Sequence, residues 1–199
     1  MRTTLILIRH GVTDWNARKK YCGYIDVPLN REGQKQARML RKRLDRIPID
    51  AIYSSDLKRA VKTAVIASGK TKITKIKGLR EINFGVLEGL SHDQIMKKYP
   101  IPYTNWLKDP FKKHAIPQAE NMSAFKKRIA KAIKAITASN RGKTIAVFCH
   151  GGTISVFFTS ILKKKGFWRY VPKSTSVSIV EYNGNKPRIK LFNCTKHLR

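Results

Sequence analysis

The sequence predicts an α/β fold, a three-layer α/β/α sandwich whose mostly parallel sheet carries an antiparallel edge from a C-terminal hairpin. Three observations point to it. Short unbroken apolar runs at residues 5–8 and 145–149 read as strands buried on both faces. Between them lie segments with apolar residues three and four apart, such as Ala37, Leu40, Leu44 and Ile47. The chain closes on two strand-like stretches around Asn183-Gly184, a hairpin signal.

Each element follows in order. Residues 3–8 make the first strand. Asn30 offers an N-cap and Glu32 a first-turn acid to a helix that keeps Lys35, Arg38, Lys42 and Arg46 outside and ends at Pro48. Residues 51–53 are a second strand, after which Ser54-Ser55-Asp56 can cap a helix over 57–67. Residues 73–76 are a third strand. Residues 82–120, with Pro100, Pro102, Pro110 and Pro117, read as an irregular, substrate-covering excursion. A helix over 123–138 stacks Phe125, Ile129, Ala132, Ile133 and Ile136; a fourth strand over 144–149 leads into a helix over 153–162. Residues 176–182 and 188–192 form the hairpin. No repeat or low-complexity linker intervenes, so residues 1–199 are expected to make one domain.

Composition narrows the class. A chain of 199 residues at 42% apolar content can fill one core. No run approaches a membrane span, and residues 5–8 are too short for a signal-peptide core, so the expected location is the cytoplasm. Cys22, Cys149 and Cys194 lack CxxC spacing, which argues against a disulfide framework or a structural zinc site. The 42 Lys and Arg against 12 Asp and Glu leave a net charge of +30. Such a field draws anions. The bases are spread along the chain without a nucleic-acid-binding signature, so a polyanion or RNA partner has charge in its favour and no motif. A monomer or homodimer is expected.

Reactive residues follow the strands. Arg9-His10 comes after the first, Arg59 lies in the first turn after the second, Glu81 lies beyond the third, and His150-Gly151-Gly152 follows the fourth. In open parallel sheets ligands bind at the carboxyl ends of the strands. Two arginines and two histidines gathered there suit a phosphoryl group, because guanidinium forks match its oxygens and the helix starting near Gly152 adds N–H groups. Glu81 among these cations suits a proton donor to a departing alkoxide. No HxxxH, HExxH or DxD spacing supplies metal ligands, so neither metal nor other cofactor is expected. The nucleophile is then a side chain, and His10, kept neutral by neighbouring cations, can attack phosphorus directly.

These residues resemble the histidine phosphatase superfamily, also called phosphoglycerate mutase-like. The ordered blocks are "LIRHGVTDWN", "YCGYIDVPLNREGQKQA", "IYSSDLKRAVKTA", "LREINFGVLEG", "PQAENMSAFKKRI" and "IAVFCHGGTISV". The resemblance implies that His10 is phosphorylated, that Arg9, Arg59 and His150 bind the phosphoryl group, that Asn16 and the backbone near Gly23 complete the pocket, and that Glu81 later activates water. Val12, Cys22, Leu87 and Ser155 depart from the family's usual residues. Length and "HAIPQAENMSAF" look closest to the alpha-ribazole and broad-specificity phosphatases. The implied activity is a metal-independent phosphomonoesterase acting on small phosphorylated metabolites, with alpha-ribazole 5'-phosphate a candidate. A cofactor-dependent phosphoglycerate mutase is the alternative, and a basic polyanion-binding protein the alternative of another class.

Other residues carry weaker signals. His114 could reach substrate from the covering segment, Tyr21, Tyr24, Trp106 and Phe111 could line the pocket, and His92 and His197 receive no role. Residues 141–144, "RGKT", look like a P-loop tail, but Thr144 opens a strand, so nucleotide binding there is rejected.

Overall fold

Alternating side chains of one central strand hold both halves of the molecule. A computed structural model describes residues 1–112 and 116–199. The strands are β1 (Arg2–Arg9), β2 (Ala51–Ser54), β3 (Thr74–Lys75), β4 (Thr144–Cys149), β5 (Val177–Asn183) and β6 (Lys186–Cys194). They lie in the order β3-β2-β4-β1-β5-β6. The first four run parallel, and β5 and β6 add the antiparallel edge.

The helices are α1 (Asp14–Ala17), α2 (Arg31–Leu44), α3 (Lys58–Ser68), α4 (His92–Lys98), α5 (Pro100–Lys108), α6 (Met122–Ala138) and α7 (Gly151–Leu162). Leu5 and Leu7 of β1 face α6 and α7, packing with Phe125, Ile129 and Phe158. Ile6 and Ile8 face the other way, against Leu40 and Leu44 of α2 and Ala64 and Ala67 of α3. Each Leu, Ile or Phe side chain among these, taken fully out of water, contributes about 1.5–3 kcal/mol. The sheet is therefore covered on both faces, the three-layer sandwich expected.

Local differences from the sequence reading have physical causes. Helix α2 ends at Leu44 instead of running to Pro48, leaving Ile47 half-buried beyond it. Helix α3 has Leu57 at its N-cap with no side-chain cap bond. Asp56 cannot serve because Arg80 holds both its oxygens, at 2.7 and 2.6 Å. Asp26, from a distant loop, accepts the Lys58 N–H at 2.8 Å in its place.

The largest difference lies in residues 82–120, which are not irregular throughout. They contain α4 and α5, with Pro100 and Pro102 in the first turn of α5, where proline costs least. Leu87, Ile95, Tyr103 and Trp106 give this segment a small core of its own. Among the described residues, no helix is long and apolar enough to cross a membrane.

Candidate active site

Strand register brings the two histidines together. Arg9 pairs with Cys149 at the ends of neighbouring parallel strands, so His10 and His150 emerge side by side. The His10 N–H donates to the Cys149 carbonyl at 3.0 Å, and the two rings meet edge to face with centroids 5.1 Å apart. His150 is the N-cap of α7, which therefore begins two residues earlier than its periodicity suggests.

The His10 ring is held in one tautomer. Its Nδ1 lies 2.7 Å from the Gly11 carbonyl, which can only accept, so Nδ1 carries the proton and Nε2 keeps its lone pair. The Gly11 N–H donates to Thr63 Oγ1 at 3.0 Å. A β-carbon at Gly11 would lie 2.5 Å from the Gly33 carbonyl oxygen, so only glycine lets this loop sit on α2.

Arg59, wholly buried, is aimed by backbone: its guanidinium donates to the carbonyls of Gly23 at 2.6 Å and Ile25 at 3.0 Å. Glu88 steadies that loop from the other side. Its carboxylate accepts N–H groups from Tyr24 and Ile25, each at 2.7 Å, and from Phe84 at 3.2 Å. Arg9 donates to the Pro172 carbonyl at 2.6 Å and packs against Gly151, where a β-carbon would come within 3.3 Å of the guanidinium carbon.

Among the described residues, Arg9 Nε, Arg59 Nε and both ring nitrogens of His150 are buried with no hydrogen-bond partner. Leaving one such group unpaired costs about 1–3 kcal/mol, and four of them on residues close enough to act on one another electrostatically suit an anion. Burial, followed by Arg59 and Arg9, pushes the His10 pKa well below its usual value. Burial and Arg59 do the same to His150, with His10 and Arg9 adding to it. Both imidazoles are neutral at pH 7.

Glu81, 7% exposed, faces this cluster. Its two oxygens accept the N–H of Ile82 at 3.0 Å and of Gly152 at 2.8 Å. Burial raises its pKa, against those two bonds and the nearby arginines. The Gly152 N–H is thus committed to Glu81 and not offered to a phosphoryl group, contrary to the sequence reading.

A cavity of about 480 Å³ opens onto the cluster. Arg9, His10, Asn16, Glu81 and Gly151 line it; the His150 ring lies against His10, Arg59 is near enough to act electrostatically on both imidazoles, and Gly23 meets Arg59 through its carbonyl. Asn16 spends its carbonyl oxygen on the α1 cap, accepting from the Thr13 N–H at 3.1 Å and hydroxyl at 3.0 Å. Its amide NH2 is the end it can present to a ligand.

Sequence reasoning passed over several neighbours. His92, given no role, lines the cavity and bonds the Tyr103 hydroxyl at 3.0 Å. Of the suggested aromatics Tyr21 lines it, Tyr24 instead lies under Arg80 and Arg128, Trp106 packs in the α4–α5 core, and Phe111 stands 38% exposed. His114 falls outside the described residues. A larger cavity of about 1010 Å³, between α6, α7 and the hairpin, has no imidazole or carboxylate among its described lining residues. Among the described residues no group of three or more His, Cys, Asp or Glu side chains is placed to hold a metal ion.

Known proteins resemble this chain in sequence and fold. Residues 5–195 match the family described as the histidine phosphatase superfamily (branch 1). Phosphoserine phosphatase 1 of Hydrogenobacter thermophilus is 29% identical over 198 residues, covering 98% of this chain and 93% of its own. The adenosylcobalamin/alpha-ribazole phosphatase of Escherichia coli is 28% identical, covering 95% of each. The solved structure of Bacillus stearothermophilus YhfR superposes with a TM-score of 0.93 at 30% identity, over 99% of this chain and 100% of that one. A family match this long, on a fold whose parallel strands end in paired histidines, makes the conclusion plain: the chain belongs to the histidine phosphatase superfamily, branch 1, and is a phosphatase enzyme.

Proposed function

We propose that this enzyme hydrolyses small phosphomonoesters in two steps through a phosphohistidine at His10, without a metal ion. The carrying observation is the His10 Nδ1–H bond to Gly11, which leaves Nε2 nucleophilic inside a ring of buried, unpartnered cationic and imidazole nitrogens. In the first step Nε2 forms a bond to phosphorus as the ester P–O bond breaks, and Glu81 gives its proton to the departing alkoxide. Arg9, Arg59 and His150 face the charge spread over the three phosphoryl oxygens. In the second step water attacks phosphorus, the N–P bond breaks, and Glu81 takes the proton from water. His10 is neutral again and inorganic phosphate leaves.

Gly23 serves through its carbonyl on Arg59, and Gly151 by leaving room for Arg9. Asn16 offers its amide to a phosphoryl oxygen. Reduced cysteines fit a cytoplasmic setting, and Cys22, Cys149 and Cys194 are all free thiols. Alpha-ribazole 5'-phosphate and phosphoserine, the compounds that the relatives' names contain, are the first substrates to measure.

The test is a rapid quench with radiolabelled substrate. An acid-labile, base-stable phosphoenzyme is expected in the wild type and none in His10→Ala, with turnover unaffected by EDTA. Undiminished turnover in His10→Ala would overturn the reading.

A further inference from the structure

The cavity has more room and more charge than a phosphoryl group requires. Its 480 Å³ falls in the range of sites that enclose a whole small molecule. Its chemistry is divided. Lys19 and Lys20, just after α1, are among its lining residues, and neither is in any ion pair found among the described residues. Phe84, Leu107, Phe167 and Trp168 give the same lining an apolar, aromatic part. Glu81 is the one carboxylate among the described lining residues, and it lies at depth with both oxygens bonded.

Lys19 is held in place by an unusual backbone. Its φ is +53°, the left-handed region that side chains other than glycine avoid, and its N–H donates to the Asn16 carbonyl at 3.1 Å. The Lys20 N–H donates to the Trp15 carbonyl at 2.8 Å, and Lys20 makes a strand-like bridge with Ser91 ahead of α4. Both lysines therefore start from backbone fixed to the same turn that carries Asn16, which lines the same cavity as Arg9 and His10. A phosphoryl group held among Arg9, His10 and Arg59 leaves these two ammonium groups to the remainder of the substrate.

We propose that Lys19 and Lys20 form a second anion subsite, and that the enzyme's substrates are phosphomonoesters whose leaving alcohol carries a carboxylate or similar anion beside an apolar, ring-sized body. This rests on the phosphatase reading above. The apolar wall takes the body of the alcohol, and the lysines take its charge.

The experiment compares kcat/KM for benzyl phosphate, 4-carboxybenzyl phosphate and 4-carbamoylbenzyl phosphate, in which a methylene insulates the departing oxygen from the substituent. The carboxylate is expected to exceed the amide by about 5-fold per lysine, as for a partly exposed ion pair of about 1 kcal/mol. In the Lys19→Gln/Lys20→Gln double variant the carboxylate-to-amide ratio should fall to near 1, and raising salt should lower it in the wild type. The Lys19→Glu/Lys20→Glu double variant should reverse the preference towards 4-(aminomethyl)benzyl phosphate. Equal kcat/KM for all esters in the wild type, or a ratio retained in the double variant because the whole +30 surface sets it, overturns the subsite alone. No turnover of any ester by the wild type overturns the hydrolase reading and the subsite with it.

Discussion

Gly152 and Glu81 are in direct contact: the glycine N–H donates to Glu81 Oε2 at 2.8 Å, and a β-carbon at Gly152 would overlap Oε1. Gly152→Ala should therefore displace Glu81, the proposed proton donor, while favouring the α7 helix, since alanine is the better helix former by about 1 kcal/mol. The expected result is a loss on the order of 100-fold in kcat for alkyl phosphates, whose leaving groups need a proton, and a smaller loss for 4-nitrophenyl phosphate. Equal losses for both esters would show that Glu81 is not the donor.

Activity should fall through Glu81 itself as pH rises beyond the range of an ordinary glutamate. Burial raises its pKa, so it holds a donatable proton into a higher range than an ordinary glutamate, and the proton is lost as pH rises past that value. Glu81→Gln should cut kcat for alkyl phosphates by about 100- to 10,000-fold and abolish the descending limb of the pH profile. A limb that persists in this variant would assign it to another group.

Stability should decline as pH falls below about 6.5. His10 and His150 stay neutral in the folded protein but take up protons once unfolded, so the stability they confer is present above the unfolded pKa and lost below it. Each adds about 1.4 kcal/mol per pH unit to the loss. Glu81 works against them, because its raised pKa lets the folded state bind an extra proton between its unfolded and folded values. His197, pushed down to about 4 but only partly buried, adds a smaller, screened share in the same direction as the other histidines. Urea titrations across pH 5–8 should give a slope that His150→Gln reduces by about one proton. An unchanged slope would refute the burial argument.

Glu88 should matter for Arg59 without touching substrate. Glu88→Ala removes three acceptor contacts from the backbone of residues 24, 25 and 84, with an expected loss of about 3 kcal/mol in stability. Because the carbonyls of Gly23 and Ile25 aim Arg59, KM for phosphomonoesters should rise more than kcat falls, and Glu88→Gln should recover part of the affinity. A variant that loses stability with KM unchanged would confine Glu88 to the fold.

The site was legible where adjacency in sequence becomes adjacency in space through strand ends. Arg9-His10 and His150-Gly151 sit at the ends of two apolar runs, and parallel pairing of those runs was enough to foresee two imidazoles meeting. Arg59 was legible for the same reason, one turn into a helix. What stayed hidden depends on contacts with no local signature. Four prolines suggested irregular structure in residues 82–120, yet proline is tolerated in the first turn of a helix, and the buried faces of Ile95, Tyr103 and Trp106 outweigh it. Asp56 reads as a helix cap until Arg80, far along the chain, claims it, and the cap comes instead from Asp26. His92 looked idle because its place at the cavity depends on how α4 packs.

Arg9 and Cys149 are partners in one ladder though nearly three-quarters of the chain separates them. A growing polypeptide consequently carries His10, the proposed nucleophile, long before His150 exists to stand beside it, and the two meet only once the middle of the sheet has zipped shut. Catalytic competence is in this sense a proofread of folding: a chain with its central strands misaligned keeps every reactive group and hydrolyses nothing.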